Sequence, residues 1–162
     1  MAKVAVIGCT HAGVFATVSI LKAHPDWEVH VFERNGTVSF LSCGIALWVG
    51  DHVSDPNRMF YSSPAALADA GAHVHMHTDV VSADAATKHV EWTDLQTDEK
   101  GACDFDYLVV TTGSKPVLPP IPGIDGGRVL HCKNWDDALR VTELCGDTDS
   151  VAVIGAGYIG SE

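Results

Sequence analysis

Hydrophobic positions open the chain in a short unbroken run. Lys3 to Gly8, KVAVIG, is β-branched and closes on glycine, which predicts a strand and a turn. Val14, Val18 and Leu21 then recur at helical spacing with Phe15 beside them, so a helix is expected from about Ala12 to Ala23. HPDW interrupts that pattern, and Glu28 to Glu33, EVHVFE, reads as a second strand. Strand, helix and strand in this order form a β-α-β unit, which requires a parallel pair and a right-handed crossover.

The pattern then shortens. A helix is expected after Cys43, through Ile45 to Val49. Another spans Pro64 to Ala70, with Ser63 as N-cap, Pro64 in the first turn and Gly71 as the stop. From His73 to Asp106 the runs HVHMH, VVSA, HVEW and CDFD alternate with polar turns such as DAATK, which predicts a small antiparallel meander. Tyr107 to Ser114, YLVVTTGS, reads as a buried strand ending in a glycine turn. KPVLPPIPG, with four prolines in nine residues, reads as a linker. A helix capped by Asn134 and stopped by Gly146 follows, and SVAVIGAGYIGSE opens a second strand–glycine–helix unit.

The openings VAVIGCTHAG and VAVIGAGYIG resemble each other, so two dinucleotide-binding units are expected in one α/β chain. The second has only Ser161 and Glu162 for its helix, too little to bury an apolar face. The 162 residues are therefore expected to be the N-terminal part of a longer polypeptide.

Composition narrows the function classes. A formal net charge of −11 argues against nucleic acid or anionic lipid as partner. No apolar stretch reaches the ~20 residues of a membrane helix, and the start MAKVAVIGCT lacks a secretory pattern. The five cysteines, Cys9, Cys43, Cys103, Cys132 and Cys145, are scattered and odd in number, which reads as free thiols in a reducing, cytoplasmic setting. Cys103, Cys132 and Cys145 read as small buried packing residues. Trp48, Trp92 and Trp135 read as packing residues too.

The first glycine motif is Gly8-Cys9-Thr10-His11-Ala12-Gly13. Gly8 suits the tight turn, Gly13 suits close packing of helix on strand, and the helix N-terminus offers N–H groups to a pyrophosphate. Thr10 replaces the usual middle glycine. Glu33, 20 residues beyond Gly13, fits the acid that accepts hydrogen bonds from ribose hydroxyls; the plainer alternative is an exposed carboxylate paired with Arg34. The second motif, Gly155-Ala156-Gly157-Tyr158-Ile159-Gly160, has all three glycines. Cys43 has no nearby cysteine and precedes a helix, where N-terminal dipoles favour a thiolate able to cycle through sulfenic acid. His11 sits at a helix start as a candidate base or donor, with a solvent-exposed or core imidazole as the alternative. His73, His75 and His77 alternate, hence share one strand face. No metal site is expected there, because same-face neighbours cannot close a tetrahedron without ligands from elsewhere.

Taken in order, VIGCTHAG, ERN, SFLSCGIAL, FYSSP, TTGSKP, IPGID, CKNW and VIGAGYIG resemble the bacterial water-forming NADH oxidases, flavoproteins of the pyridine nucleotide–disulfide oxidoreductase superfamily. NADH peroxidases and coenzyme A-disulfide reductases are near relatives of that group. The resemblance implies a Rossmann-like FAD-binding βαβ unit with an antiparallel meander over residues 1–114. A linker and helix over 115–150 and the start of a second Rossmann unit, for NADH, over 151–162 would follow. It also implies that Cys43 is the single redox cysteine and His11 the active-site histidine. Gly8, Thr10, His11, Ala12, Gly13, Glu33, Arg34, Cys43, Val80, Thr112, Gly113, Ser114 and Lys133 would hold FAD. Gly155, Gly157, Tyr158, Ile159 and Gly160 would begin the NAD site. Implied substrates are NADH and dioxygen, and the implied assembly is a homodimer or higher homo-oligomer. NADH peroxidase or coenzyme A-disulfide reductase is the alternative enzyme reading, and a non-catalytic nucleotide-binding unit or a thiol redox sensor is the non-enzyme alternative, which predicts no NADH oxidation.

Overall fold

A computed structural model describes residues 1–146, 148 and 150–161. Asp147, Asp149 and Glu162, which fall in the expected linker and at the end of the second glycine motif, lie outside them. The chain divides into two units: Met1–Phe40 with Phe60–Ser114, and Leu41–Met59 with the chain from Lys115 onward.

In the first unit, β1 (Lys3–Ile7), α1 (His11–Ala23) and β2 (Glu28–Glu33) form the expected crossover, and β1 pairs in parallel with β2 in the register Val4–Val29 and Val6–Val31. These valines are at most 1% exposed. A parallel strand covered on both faces needs such a continuous apolar run, and each buried valine contributes about 1.5–3 kcal/mol. On one face, Val14 and Leu21 of α1 and Leu67 of α3 (Pro64–Asp69) pack on Val4, Val6, Val29 and Val31. As expected, α3 starts at Ser63, whose Oγ accepts the Ala66 N–H at 3.1 Å, and ends before Gly71 at φ +106°.

The structure corrects the placement of HVHMH. Residues Ala72–Met76 form β3, which joins β2 in parallel at the edge of the sheet rather than entering the meander. The sheet order is β3-β2-β1-β7, with β7 (Tyr107–Val110) at the opposite edge. Alternation identifies a strand but not its partner; α3 is the crossover that carries the chain back beside β2. His77 has φ +53° and lies beyond β3, so only His73 and His75 share the strand face. The strand at Tyr107 is also less buried than expected, with Tyr107 54% and Val110 62% exposed, because β1 is its only strand neighbour among the described residues.

The meander is β4 (Thr78–Asp84), β5 (His89–Asp94) and β6 (Lys100–Asp104), antiparallel throughout. It packs on the other face of the parallel sheet, where Val90, Phe105, Val80 and Trp92 meet Ala5 and Phe32. β6 begins earlier than CDFD suggested and stops at Asp104, so Phe105 turns into the core as the chain leaves the strand.

In the second unit, α2 (Ile45–Val49) and α4 (Trp135–Cys145) meet through Trp48 and Trp135, whose rings stack 5.2 Å apart. Asn134 and Asp137 form a reciprocal capping box on α4, as the sequence predicts for the N-cap. Lys115–Ile121 has no helix or strand, as a proline-rich linker should. The expected strand before Gly155 does not form. Val151, Val153 and Ile154 are each at least 64% exposed and, among the described residues, have no ladder partner. Only the short helix α5 (Tyr158–Ser161) follows.

Candidate functional site

The glycine turn between β1 and α1 is held from three sides. Gly8 donates its N–H to the Phe32 carbonyl at 2.8 Å and has φ +91°. Thr111, just beyond β7, donates its hydroxyl to the carbonyls of Ile7 and Gly8 at 2.9 and 2.8 Å. A Cβ on Gly8 would collide with the Thr111 carbonyl, and one on Gly13 would collide with the Gly8 carbonyl. Both positions therefore need glycine, one for its φ and contact, the other for contact alone. Thr10 precedes α1 with no side-chain cap, and the first turn of α1 carries no acid. Thr10, His11 and Ala12 are exposed while Gly13 is buried. The first-turn N–H groups thus remain available to an anion, in the direction the helix dipole favours.

Glu33 is 3% exposed at the end of β2. One carboxylate oxygen accepts the Cys9 N–H at 2.6 Å; the other accepts the Asn35 backbone and side-chain N–H groups at 2.8 and 2.7 Å. That corrects the plainer alternative, since Glu33 is neither exposed nor paired with Arg34. Arg34 instead approaches Asp79, 3.9 Å away, and is exposed. A carboxylate offers about four lone-pair sites, so three bonds leave one for a further donor.

Burial, and then the adjacent Glu33 charge, push the Cys9 thiol from its ordinary 9.0 up to about 12. The folded chain therefore keeps this proton through a range where the unfolded chain has lost it. Its contribution is present below pH 9.0 and is lost as pH rises toward about 12, at up to about 1.4 kcal/mol per pH unit. Urea midpoints should fall between roughly pH 8 and pH 10, and less steeply in Cys9→Ala. An equal fall in that variant would place the alkaline sensitivity elsewhere.

His11, the first residue of α1, has Nδ1 3.1 Å from the Tyr61 hydroxyl, and the two rings stack 5.6 Å apart. Phe15 also stacks on Tyr61, with ring centroids 5.9 Å apart. Burial raises the Tyr61 phenol above its usual value, with a smaller push from Cys9. Ser39, buried at φ +61°, donates to the Ser62 carbonyl at 2.8 Å, and its Oγ accepts the Ser62 N–H at 2.9 Å. Its own N–H reaches the Cys9 carbonyl at 3.0 Å. Phe40 and Phe60 form an antiparallel bridge next to it.

Within the first unit, then, the structure gathers Gly8, Thr10, His11, Ala12, Gly13 and Glu33 around one turn, with Thr112 adjoining Gly8. Gly113 has φ +68° and, like Thr112 and Ser114, is exposed. Val80 stands apart in β4, opposite Trp92 and half-buried. Thr111, Ser39 and Tyr61 were missed by sequence reasoning. Thr111 is the residue before a recognised TGS turn, and Tyr61 lies in the FYSSP segment, but nothing in either string reports a hydroxyl's partner.

In the second unit, Cys43 lies in the 3₁₀ turn Ser42–Gly44 ahead of the five-residue α2, and its thiol is exposed and free. All five cysteines are free thiols; Cys132 is exposed rather than buried, and Cys103 and Cys145 are half-buried. Lys133 is exposed and donates its backbone N–H to Asp137 at 3.0 Å. Gly155 has φ +106°, and a Cβ on Gly160 would collide with the Gly155 carbonyl, the same relation that joins Gly8 and Gly13. Gly157, Tyr158 and Ile159 are exposed beside it.

Residues 2–162 match the family model described as pyridine nucleotide-disulphide oxidoreductase. The NADH oxidase of Enterococcus faecalis is 49% identical over 160 residues, covering 99% of this chain and 36% of that protein. The NADH oxidase of Lactococcus lactis is 33% identical over 162 residues, again 99% and 36%. The solved structure of the water-forming NADH oxidase from Lactobacillus brevis bound to NADH superposes with a TM-score of 0.97 at 50% identity, covering 99% of this chain and 36% of that one. The chain thus spans 36% of the length of these relatives. Among the described residues no helix is long and apolar enough to cross a membrane.

Proposed function

The chain belongs to the pyridine nucleotide-disulphide oxidoreductase family, and on that footing we propose that it forms part of a water-forming NADH oxidase. In this reading residues 1–114 are the FAD-binding portion, 115–150 a linker and helix, and 151–162 the start of the NADH site. The activity belongs to a polypeptide of the relatives' length, acting in the cytoplasm as a homodimer or higher homo-oligomer. The observation that carries the reading is the repeated glycine cradle, Gly8 with Gly13 and Gly155 with Gly160, one for each dinucleotide.

The residues at the first cradle fit FAD. A side chain at Gly8 or Gly13 is excluded by backbone contact, the start of α1 is uncapped and without acids, and Glu33 keeps one acceptor site. Thr10 to Gly13 would hold the pyrophosphate and Glu33 the ribose. Arg34, Val80, Thr112, Gly113, Ser114 and Lys133 would complete the hold. Bound FAD supplies two-electron transfer between NADH and dioxygen.

The chain's own chemistry lies at Cys43. Its thiolate attacks one oxygen of hydrogen peroxide, the two-electron product of dioxygen; the O–O bond breaks, hydroxide leaves, and the sulfur becomes a sulfenic acid. The hydride of a second NADH, which carries two electrons, then returns the sulfur to thiolate and releases the oxygen as water, while a proton converts the departed hydroxide to the other water. The sum is two NADH, one dioxygen and two protons giving two NAD and two waters. His11 supplies protons from Nε2, because Nδ1 is engaged with the Tyr61 hydroxyl, which also fixes the ring plane.

A purified polypeptide of the relatives' length that contains this chain should carry FAD and consume dioxygen when NADH is added. Catalase added afterwards should return no dioxygen, because no peroxide accumulates. A colourless protein without NADH oxidation would favour the non-catalytic reading, and a return of dioxygen would make the enzyme peroxide-forming.

A further inference from the structure

The face of the parallel sheet that carries Lys3, Glu28, His30, His73 and His75 bears none of the residues assigned to the proposed function. We propose that Glu28, His30 and His73 form a site for one divalent transition-metal ion of the Zn²⁺ type.

Parallel pairing of β2 with β3 places His30 directly opposite His73, with rings 4.8 Å apart. Glu28, two residues before His30, points to the same face. One donor atom from each of the three lies within 4.8 Å of the others, and Glu28 Oε1 is already 2.8 Å from His30 Nε2. A tetrahedral zinc ion, with bonds of about 2.0–2.2 Å, holds its ligand atoms roughly 3.3 Å apart. Side-chain rotation alone covers the difference. Alternating histidines on one strand could not close such a site; the neighbouring strand supplies what they lack.

The outer ligands fit as well. His30 Nδ1 is 3.0 Å from His75 Nε2, so with a metal on Nε2 the Nδ1–H of His30 donates to His75, the arrangement that commonly orients a metal-bound imidazole. Two imidazoles and a carboxylate favour zinc-like ions over Mg²⁺ or Ca²⁺. His73 stands at the exposed sheet edge, which leaves an entry path and a fourth position for water. Lys3, 3.4 Å from Glu28 and half exposed, is the competing cation; such a surface pair contributes little and can swing away.

The test is calorimetric titration of Zn²⁺ into the chain with Cys43 and Cys132 replaced by serine, so that exposed thiols cannot supply the signal. One Zn²⁺ per chain should bind, with Mg²⁺ unable to compete. His73→Ala and, separately, Glu28→Gln should each weaken binding at least ~10-fold, the scale of losing one contributor to a metal site. His89→Ala, an exposed histidine paired with Asp104 on the meander, should leave it unchanged. Failure to bind, equal affinity in the first two variants, or an equal loss in His89→Ala would each overturn the site.

Discussion

In the proposed oxidase, a polypeptide of the relatives' length, replacing Cys43 with serine should turn water formation into peroxide formation. Serine keeps the size and the exposed position of the side chain in its 3₁₀ turn, so the fold should be unaffected. What disappears is the sulfur proposed to take up an oxygen and give it back. A hydroxyl cannot cycle through the sulfenic state. NADH consumption should therefore fall from two toward one per dioxygen, and catalase should now return half of the dioxygen consumed. FAD content and the thermal midpoint should match the parent protein. If the stoichiometry stays at two with FAD still bound, the oxygen atom is reduced without the thiol.

Gly13→Ala should destabilise the first unit even though it exchanges a helical glycine for alanine. On an exposed helix this exchange stabilises by about 1 kcal/mol, since alanine is the better helix former. Here the new Cβ runs into the Gly8 carbonyl and comes within 3.0 Å of Thr111 Oγ1. Neither the turn nor the strand behind it can move without losing the Gly8–Phe32 and Thr111–Gly8 hydrogen bonds. Overpacking of this kind costs about 3 kcal/mol, which outweighs the helical gain. In a chain of this size that lowers the thermal midpoint by roughly 6–12 °C, and FAD retention should fall with it. Gly127→Ala, where nothing lies within 4 Å, is the control and should stay within about 0.5 kcal/mol of the parent. Equal midpoints for the two variants would mean the helix does not sit this tightly on the turn.

The legible part of the fold was the part written in local pattern. β1, α1 and β2 came from an apolar run, a helical period and a second run; α3 and α4 came from their caps. Sheet membership was not local. HVHMH alternates just as a meander strand would, and only the position of α3 and β2 in space makes β3 parallel. The strand before Gly155 illustrates the same limit, because an apolar run becomes a strand only where a neighbour offers a ladder. In the candidate site, the glycines and Glu33 were readable because turn geometry and strand ends leave signatures at fixed spacing. Thr111, Ser39 and Tyr61 were not, since a hydroxyl's role depends on partners 23 to 104 residues away. The metal-ligand set escaped for the same reason, with His30 and His73 far apart in the chain and adjacent across two strands.

Labelling of the cysteines after mild oxidation bears on the thiol chemistry without intermediaries. The protein is treated with one equivalent of hydrogen peroxide, then with dimedone, which captures sulfenic acids, and digested for mass spectrometry. Cys43 and Cys132 are both exposed, so accessibility alone would label both. A redox thiol at Cys43 requires the adduct there, with Cys132 largely unmodified. An adduct shared evenly between the two, or missing from Cys43, would show that this sulfur is not where the oxygen is taken up.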